Sequence, residues 1–233
     1  MIPARYAATR FPAKLMQVLG NKTVIRHTYD ATVASNLFNE VIVVTDSGII
    51  YDEITNYGGT AVMSKRSHES GSDRIAEAVE EMDIDIVVNV QGDEPFIKKD
   101  PLEKLVHLFD DPAVKVGSLM RKIEDSNELN ASSSVKVVVN KNNDALYFSR
   151  SVIPFAANTE ITAPYYLHIG VYGFRKETLL QFTQWPPSKP ELAEKLEQLR
   201  YLENGVSVRM ALVDFKSVAI DTPQDLERAS MLL

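Results

Sequence analysis

The sequence has no cysteine, one tryptophan and no apolar stretch long enough to span a membrane. Without cysteine it can form neither a disulfide framework nor a reactive thiolate, which fits a reducing cytoplasm. The first residues lead directly into a basic loop and lack the pattern of a secretory signal. We therefore expect a cytoplasmic chain with no membrane insertion.

Several catalytic and cofactor motifs are also missing. The sequence contains no G-x-x-x-x-G-K-[ST] phosphate loop, no G-x-G-x-x-G dinucleotide fingerprint, no G-x-S-x-G elbow and no H-E-x-x-H zinc motif. Four scattered histidines without cysteine argue against a zinc site. These absences disfavour P-loop nucleotide hydrolases, dinucleotide-dependent enzymes, serine hydrolases of the elbow type and zinc enzymes.

The charge balance is acidic, with 25 basic against 32 acidic residues and a net charge of -7, which disfavours a nucleic-acid partner. Three cations nevertheless lie close together at the start, where a loop contains Arg5, Arg10 and Lys14. Arginine forks and lysine ammonium groups both suit phosphate oxygens. The loop therefore predicts a small anionic ligand, although a solvated basic turn explains it equally well.

Strand and helix patterns alternate along the 233 residues. Short apolar runs at 41–45, 86–90 and 135–139 predict buried strands, the last interrupted by Lys136. Helical spacing predicts helices at 23–35, 72–82 and 192–202, a helix starting at Pro101, and a last helix capped by Thr222. Alternation of this kind predicts an α/β fold, a three-layer α/β/α sandwich with a mostly parallel central sheet.

The middle of the chain departs from this alternation, because residues from about 112 to 176 are rich in strand patterns. We interpret them as a strand-rich arm inserted into a single domain of residues 1–233. Such arms often carry subunit contacts, so we also expect a homodimer.

Two aspartates follow strand-like segments. Asp93 lies in the segment Asn89–Pro95, after the apolar run at 86–90, and Asp221 follows Ala219-Ile220. In open α/β sheets ligands bind beyond the carboxyl ends of strands, and Mg²⁺ takes one or two carboxylates together with phosphate oxygens. The pair therefore predicts a magnesium site. Simpler interpretations are that Asp93 belongs to a polar turn that ends a strand, and that Asp221 caps a helix and stabilises it by about 1 kcal/mol.

Other polar segments allow two interpretations each. His68–Arg74 precedes a helix, and its small residues could either approach a ligand or cap that helix. Polar residues also stand in apolar surroundings at Arg150, His168, Tyr172 and Glu197-Gln198. Each could serve a ligand, but His168 could equally be a satisfied strand histidine, and Glu197 and Gln198 could simply face water.

Taken together, these segments resemble the CMP-Kdo synthetase family, the 3-deoxy-manno-octulosonate cytidylyltransferases, over nearly the whole chain. The resemblance is carried by residues 2–6, 11–14, 68–74, 89–95, 135–138, 147–150, 168–172, 196–200 and 221–223. Three places depart from the family pattern: Ala13 replaces a usual glycine, Leu15 a common proline, and Ala219-Ile220 a usual Gly-Val. These changes affect loops rather than charges, so we expect activity to survive.

The resemblance implies a fold similar to nucleotide-diphospho-sugar transferases and a reaction in which CTP and Kdo give CMP-Kdo and pyrophosphate for lipopolysaccharide synthesis. It implies nucleotide-binding roles for Ala4, Arg5, Arg10, Lys14, Ser70, Gly71 and Arg74, with Arg10 and Lys14 on the triphosphate. It implies sugar-binding roles for Gln91, Arg150, His168, Tyr172, Glu197 and Gln198. Asp93 and Asp221 would bind Mg²⁺ and, with Arg10 and Lys14, form the catalytic set.

Three other functions compete with this one. A sister cytidylyltransferase for sialic acid or 8-amino-Kdo would share the basic loop and the metal ligands. A metal-dependent glycosyltransferase would carry D-x-D after a strand, but Asp83-Ile84-Asp85 precedes the apolar run at 86–90 and so lies at the wrong sheet edge. A non-catalytic nucleotide-binding subunit would release no pyrophosphate.

Overall fold

The computed structural model describes residues 1–7, 11–68, 70–158, 160–161 and 163–233. The chain forms two compact units, one made of Met1–Glu103 with Lys216–Leu233 and the other of Lys104–Phe215. The single-domain organisation with an arm at 112–176 stays a prediction. Within the described residues, no helix has the length and apolar character needed to cross a membrane.

Short apolar runs build a parallel sheet in the first unit. Its strands pair in the order β1-β4-β5: β1 (Ile2–Ala4), β4 (Ile42–Thr45) and β5 (Thr60–Met63). Two further strands, β2 (Val18–Leu19) and β3 (Lys22–Thr23), form a small hairpin. On the other side of β1 the Val90 amide donates to the Met1 carbonyl (3.0 Å), just past β6 (Ile86–Asn89). The end of β6 therefore lies beside β1.

Helices accompany these strands, and the predicted cap of the last helix, Thr222, is confirmed. The helices are α1 (Val24–Ala34), α2 (Gly48–Thr55), α3 (Gly71–Val79), α4 (Lys99–His107) and α9 (Pro223–Ser230). The side chains of Thr23, Ser70 and Thr222 accept hydrogen bonds from the first turns of α1, α3 and α9. The predicted start of α4 at Pro101 is wrong, because a proline without an N–H is tolerated anywhere in the first turn and this helix begins at Lys99.

The second unit is a mixed sheet with helices. Its strands lie in the order β11-β7-β10-β8-β9: β7 (Val116–Lys122), β8 (Lys136–Val139), β9 (Ala145–Ser149), β10 (Tyr166–Arg175) and β11 (Val208–Leu212). β11 and β7 are parallel, and the other pairs are antiparallel. Its helices are α5 (Ser126–Asn130), α6 (Lys176–Phe182), α7 (Lys189–Glu194) and α8 (Gln198–Glu203).

Two local predictions are wrong. The helix expected at 192–202 is two helices, because Lys195 adopts a left-handed conformation (φ 54°) and ends α7. The salt bridge between Glu191 and Arg200 holds the two short helices together. The run Ala219-Ile220 is not a strand but irregular backbone.

Lys136, which interrupts the apolar run of β8, is fully buried. Its ammonium donates to three carbonyl oxygens, those of Ala131 (3.0 Å), Ser134 (2.6 Å) and Arg150 (2.5 Å). All three N–H donors of the ammonium are therefore satisfied by backbone, which is what a buried lysine needs.

Candidate active site

Lys14 lies between two carboxylates in the first unit. Its Nζ donates to Asp93 Oδ2 (2.5 Å) and to Asp221 Oδ1 (2.8 Å), although the three residues are far apart in sequence. The Lys14 and Asp93 side chains are 19% and 20% exposed, and that of Asp221 is 43% exposed. Lys14 of the basic loop thus meets Asp93 and Asp221 at one solvent-accessible point.

The charges at this point act on one another. Partial burial lowers the pKa of Lys14, but the charge of Asp93 and hydrogen bonds with Asp221 and Asp93 outweigh burial and raise the pKa above the ordinary lysine value. Lys14 therefore stays an ammonium across the working pH range. Among the described residues, two carboxylates thus flank this permanent cation.

Close packing places Asp93. The turn at the end of β6 is closed by a hydrogen bond from the Glu94 amide to the Gln91 carbonyl (3.1 Å). The buried Thr28 hydroxyl donates to the Gly92 carbonyl (2.9 Å). A Cβ on Gly92 would lie 3.2 Å from the Pro3 carbonyl oxygen, so a larger residue would require the turn or β1 to shift by a few tenths of an ångström.

Asp221 is positioned by the start of α9 and by a direct bond to the Asp93 turn. The Ile220 amide donates to the Asp93 carbonyl (3.0 Å). The Asp225 carboxylate accepts from the amides of Asp221 (3.2 Å) and Thr222 (2.9 Å) in a capping box. Asp225 and Thr222 therefore cap α9, and the Asp221 carboxylate is directed to Lys14 instead.

Glu94 links the turn after β6 to the segment that precedes α9, and no sequence motif indicated a role for it. It is buried, and the Ser217 hydroxyl lies 2.6 Å from both of its carboxylate oxygens. Burial raises the pKa of Glu94 to about 7; the Ser217 hydrogen bond opposes this shift, and the charges of Asp93 and Asp221 add to it. Its position between Asp93 and Pro95, before the apolar Phe96-Ile97, was the only available signal.

The residues predicted to bind the nucleotide also belong to the first unit. Ala4 ends β1 and is buried, whereas Arg5 is exposed. Gly71 starts α3 beside Pro3, where a Cβ would lie 3.1 Å from the proline ring. Ser70 caps α3 through the Asp73 amide (3.1 Å). Arg10 lies outside the described residues, and the capping alternative for Ser70 is correct without excluding a ligand role.

Arg74 is engaged within the protein. Its guanidinium donates to Asp46 Oδ2 (2.7 Å) and to the Ser64 hydroxyl (2.7 Å), and the residue is buried. Arg74 therefore fixes the loops after β4 and β5 to α3. A direct contact with the cytidine stays a prediction.

Three residues predicted to bind the sugar acid come together in the second unit. The rings of His168 and Tyr172 on β10 lie 5.3 Å apart, and the charge of Glu197 acts on Tyr172. Burial lowers the pKa of His168 to about 3, while burial and then Glu197 raise the pKa of Tyr172 well above its ordinary value. Both rings are therefore neutral at working pH and suit hydroxyl groups rather than charges.

The remaining predicted sugar residues differ in setting. Gln198 begins α8 and is buried, so it does not simply face water. Arg150 donates to the backbone carbonyls of Glu194 (2.8 Å) and Ser132 (3.0 Å), which ties β9 to neighbouring loops. Gln91, in the first unit, donates to the Asn89 side chain (3.2 Å).

The two carboxylates that flank Lys14 are suitable ligands for a magnesium ion. Two carboxylate oxygens already converge on one cationic atom, the Lys14 Nζ. Among the described residues no cluster of three acidic or histidine side chains could hold a metal by itself. Two carboxylates completed by phosphate oxygens are the ligand set typical of Mg²⁺.

The D-x-D segment of the glycosyltransferase alternative lies elsewhere. Asp83 and Asp85 are exposed and precede β6, whereas Asp93 follows it. They are thus at the amino end of the strand, away from the carboxyl end where ligands bind in such sheets.

Comparison with known proteins decides the family. A family model described as cytidylyltransferase matches residues 1–212. A 3-deoxy-manno-octulosonate cytidylyltransferase of Flavobacterium johnsoniae is 55% identical, covering 100% of this chain and 97% of its own length. The enzyme of the same name from Phocaeicola vulgatus is 45% identical, with coverages of 100% and 96%. This chain belongs to the 3-deoxy-manno-octulosonate cytidylyltransferase family.

Solved structures agree with this assignment. A CMP:2-keto-3-deoxy-manno-octonic acid synthetase complexed with CTP matches with a TM-score of 0.94 and 40% identity, over 99% of this chain and 95% of its own. A 4-diphosphocytidyl-2C-methyl-D-erythritol synthase from Anaerococcus prevotii matches with a TM-score of 0.64 at 17% identity, over 99% and 97% of the two chains, which shows a likeness of fold alone. The predicted family, enzyme class and α/β fold class are confirmed.

Proposed function

We propose that this member of the 3-deoxy-manno-octulosonate cytidylyltransferase family couples CTP to Kdo, giving CMP-Kdo and pyrophosphate for lipopolysaccharide synthesis. The observation that carries the proposal is the meeting of Lys14, Asp93 and Asp221 at one point, in a chain similar along its whole length to enzymes of that name. In the reaction the anomeric hydroxyl oxygen of Kdo forms a bond to the α-phosphorus. The bond from that phosphorus to the α,β-bridging oxygen breaks, and the hydroxyl proton passes to solvent.

Asp93 and Asp221 would hold the magnesium ion. When bound there, Mg²⁺ would supply positive charge to the phosphoryl oxygens and would lower the pKa of the attacking hydroxyl. The Ile220–Asp93 hydrogen bond and the Glu94–Ser217 contact set the spacing of the two carboxylates before any ligand arrives. Such preorganisation avoids rearrangement during the reaction.

Lys14 would exchange its carboxylate partners for phosphate oxygens when the nucleotide binds. Its ammonium is permanent, because the neighbouring carboxylates raise its pKa. A positive charge beside the triphosphate stabilises the negative charge that accumulates on departing pyrophosphate. We propose that Arg5, which is exposed just after β1, and Arg10 add further positive charge beside the triphosphate.

The second unit would supply contacts to the sugar acid. His168, Tyr172 and Glu197 cluster there with neutral rings and one carboxylate, a set suited to several hydroxyl groups. Gln198, Arg150 and Gln91 are proposed as further contacts.

We also propose that the enzyme works in the cytoplasm as a homodimer. The absence of cysteine supports a reducing compartment. On β9, which ends the strand order of the second unit, Leu146 and Tyr147 are exposed. Apolar side chains on an edge strand favour pairing with another chain. Light scattering on the purified protein would test the subunit number.

Pyrophosphate release is the decisive assay. The purified chain with CTP and Mg²⁺ should release pyrophosphate with Kdo, and faster than with sialic acid or 8-amino-Kdo. Asp93→Asn and Lys14→Ala should each lower turnover by ~10²-fold or more, the scale of losing one transition-state electrostatic contact. Asp83→Asn, which removes an exposed aspartate at the other end of β6, is the matched control and should behave as wild type. Near-normal turnover in both site variants would contradict the roles assigned to Asp93 and Lys14. Faster pyrophosphate release with another sugar acid would contradict the assignment of Kdo as the substrate.

A further inference from the structure

Strand β10 contains a bulge beside the predicted sugar-acid residues. Against β7, Ile169 is opposite Leu119, but Tyr172 is opposite Ser118, so Gly170 and Val171 are extra on the β10 side. Such bulges bend a strand and redirect its side chains. Here the bulge separates His168 from Tyr172, whose rings nevertheless lie 5.3 Å apart.

Ser118 lies directly opposite this bulge and is fully buried. Its hydroxyl oxygen is within hydrogen-bond distance of three groups on β10: the Ile169 carbonyl (3.2 Å), the Val171 carbonyl (2.9 Å) and His168 Nε2 (2.9 Å). One small side chain thus contacts both the bulged backbone and the histidine ring.

The proton count of these contacts determines the state of the imidazole. A serine hydroxyl has one proton to donate, and carbonyl oxygens can only accept. If that proton pointed to His168 Nε2, two carbonyl oxygens would face the serine oxygen with no proton between them. If Ser118 instead donates to a bulge carbonyl, its oxygen accepts a proton from His168 Nε2–H, and the contacts are satisfied.

The surroundings of the ring keep it neutral in this arrangement. The edge contact with Phe148 (5.1 Å) and the contact with Tyr172 are aromatic, and burial disfavours the imidazolium. A neutral imidazole has one donor nitrogen and one acceptor nitrogen. With Nε2 as the donor, Nδ1 is the acceptor.

We propose that Ser118 is a positioning residue of the sugar-acid site, which holds His168 as the Nε2–H tautomer so that Nδ1 can accept a hydrogen bond from a sugar hydroxyl. The substrate half of this statement rests on the proposed function, whereas the tautomer half rests on the geometry of β7 and β10 alone. The two halves can therefore be tested separately.

Nitrogen-15 NMR of histidine-labelled protein tests the tautomer. His168→Gln identifies the resonances of His168, and wild type should show a protonated Nε2 with an unprotonated Nδ1 at neutral pH. In Ser118→Ala the preference should weaken or reverse, and Ser118→Thr, which retains the hydroxyl, should restore it. A protonated Nδ1 in the wild-type protein would overturn the proposal without relying on any variant.

Steady-state kinetics tests the consequence for the substrate. Ser118→Ala should raise the KM for Kdo by about tenfold, the scale of one misdirected hydrogen bond, while the KM for CTP changes less than about twofold. Circular dichroism and thermal melting check that the variant is folded. Equal increases in both KM values, or an unchanged KM for Kdo, would refute a positioning role. If wild type is inactive with Kdo, the proposed function fails, but the NMR result still decides the tautomer.

Discussion

The half-buried imidazole of His168 should make a pH-dependent contribution to the stability of this enzyme. Its pKa is about 3 in the folded chain, against 6.5 for an ordinary histidine. A depressed folded pKa means that the unfolded chain binds the proton more readily, so the contribution is fully present above pH 6.5 and is lost as the pH falls toward 3. Acid should therefore remove the stability that His168 contributes, whereas Glu94, whose pKa is raised to about 7, acts in the opposite direction over this range.

The size of the effect follows from the shift. Each pH unit within the window costs 1.36 kcal/mol when one proton is taken up on unfolding. Because the window opens at pH 6.5, the loss between pH 7 and pH 5 is about 2 kcal/mol. This is a large part of the 5–15 kcal/mol typical of a folded domain.

Urea unfolding at pH 7, 6 and 5 measures the contribution of His168 to the free energy of unfolding, with His168→Gln as the test variant. Replacement by glutamine itself changes stability, so the informative quantity is the difference in pH dependence between the two proteins. Wild type should lose about 2 kcal/mol more than His168→Gln over this range. His107→Gln, which removes an exposed histidine, controls for the loss of an imidazole. Parallel pH profiles for wild type and His168→Gln would refute the reasoning.

Three further predictions concern the first unit. Lys14→Met should bind Mn²⁺ without nucleotide about tenfold more tightly than wild type in an electron paramagnetic resonance titration, because one competing charge-assisted hydrogen-bond donor is gone; weaker binding would contradict this. Ser217→Ala should lower the free energy of unfolding by about 1–3 kcal/mol, because buried Glu94 loses its hydroxyl partner, and an unchanged urea midpoint would argue against the contact. Gly92→Ala should cost about 1–3 kcal/mol in the same assay and reduce turnover, since a Cβ would lie 3.2 Å from the Pro3 carbonyl; wild-type stability and turnover together would contradict the close packing.

The sequence was most informative about the two aspartates. Both were predicted to lie at one ligand-binding edge, and the structure brings Asp93 and Asp221 to the same ammonium. The strand-end rule led to Asp93 correctly, because β6 ends just before its turn. It led to Asp221 through a strand that does not exist, and the Ile220–Asp93 hydrogen bond places that residue instead.

Contacts between distant residues were what the sequence could not show. The bonds of Arg74 to Asp46 and of Glu94 to Ser217 join segments whose local patterns do not indicate one another. The helix expected at 192–202 had consistent leucine spacing, yet Lys195 breaks it. Periodicity reports which face is apolar, and it does not report where tertiary contacts end a helix.

The enclosed Lys136 ammonium, with its three carbonyl partners, can be used to detect opening of the second unit. Burial and the charge of Arg150 lower the pKa of Lys136, so its protection comes from enclosure: the side chain is fully buried and every N–H donor is hydrogen-bonded. Acylating reagents that modify the surface lysines should leave Lys136 unmodified until β8 opens. Mass spectrometry of that single peptide would then follow opening of the second unit directly, with no added probe.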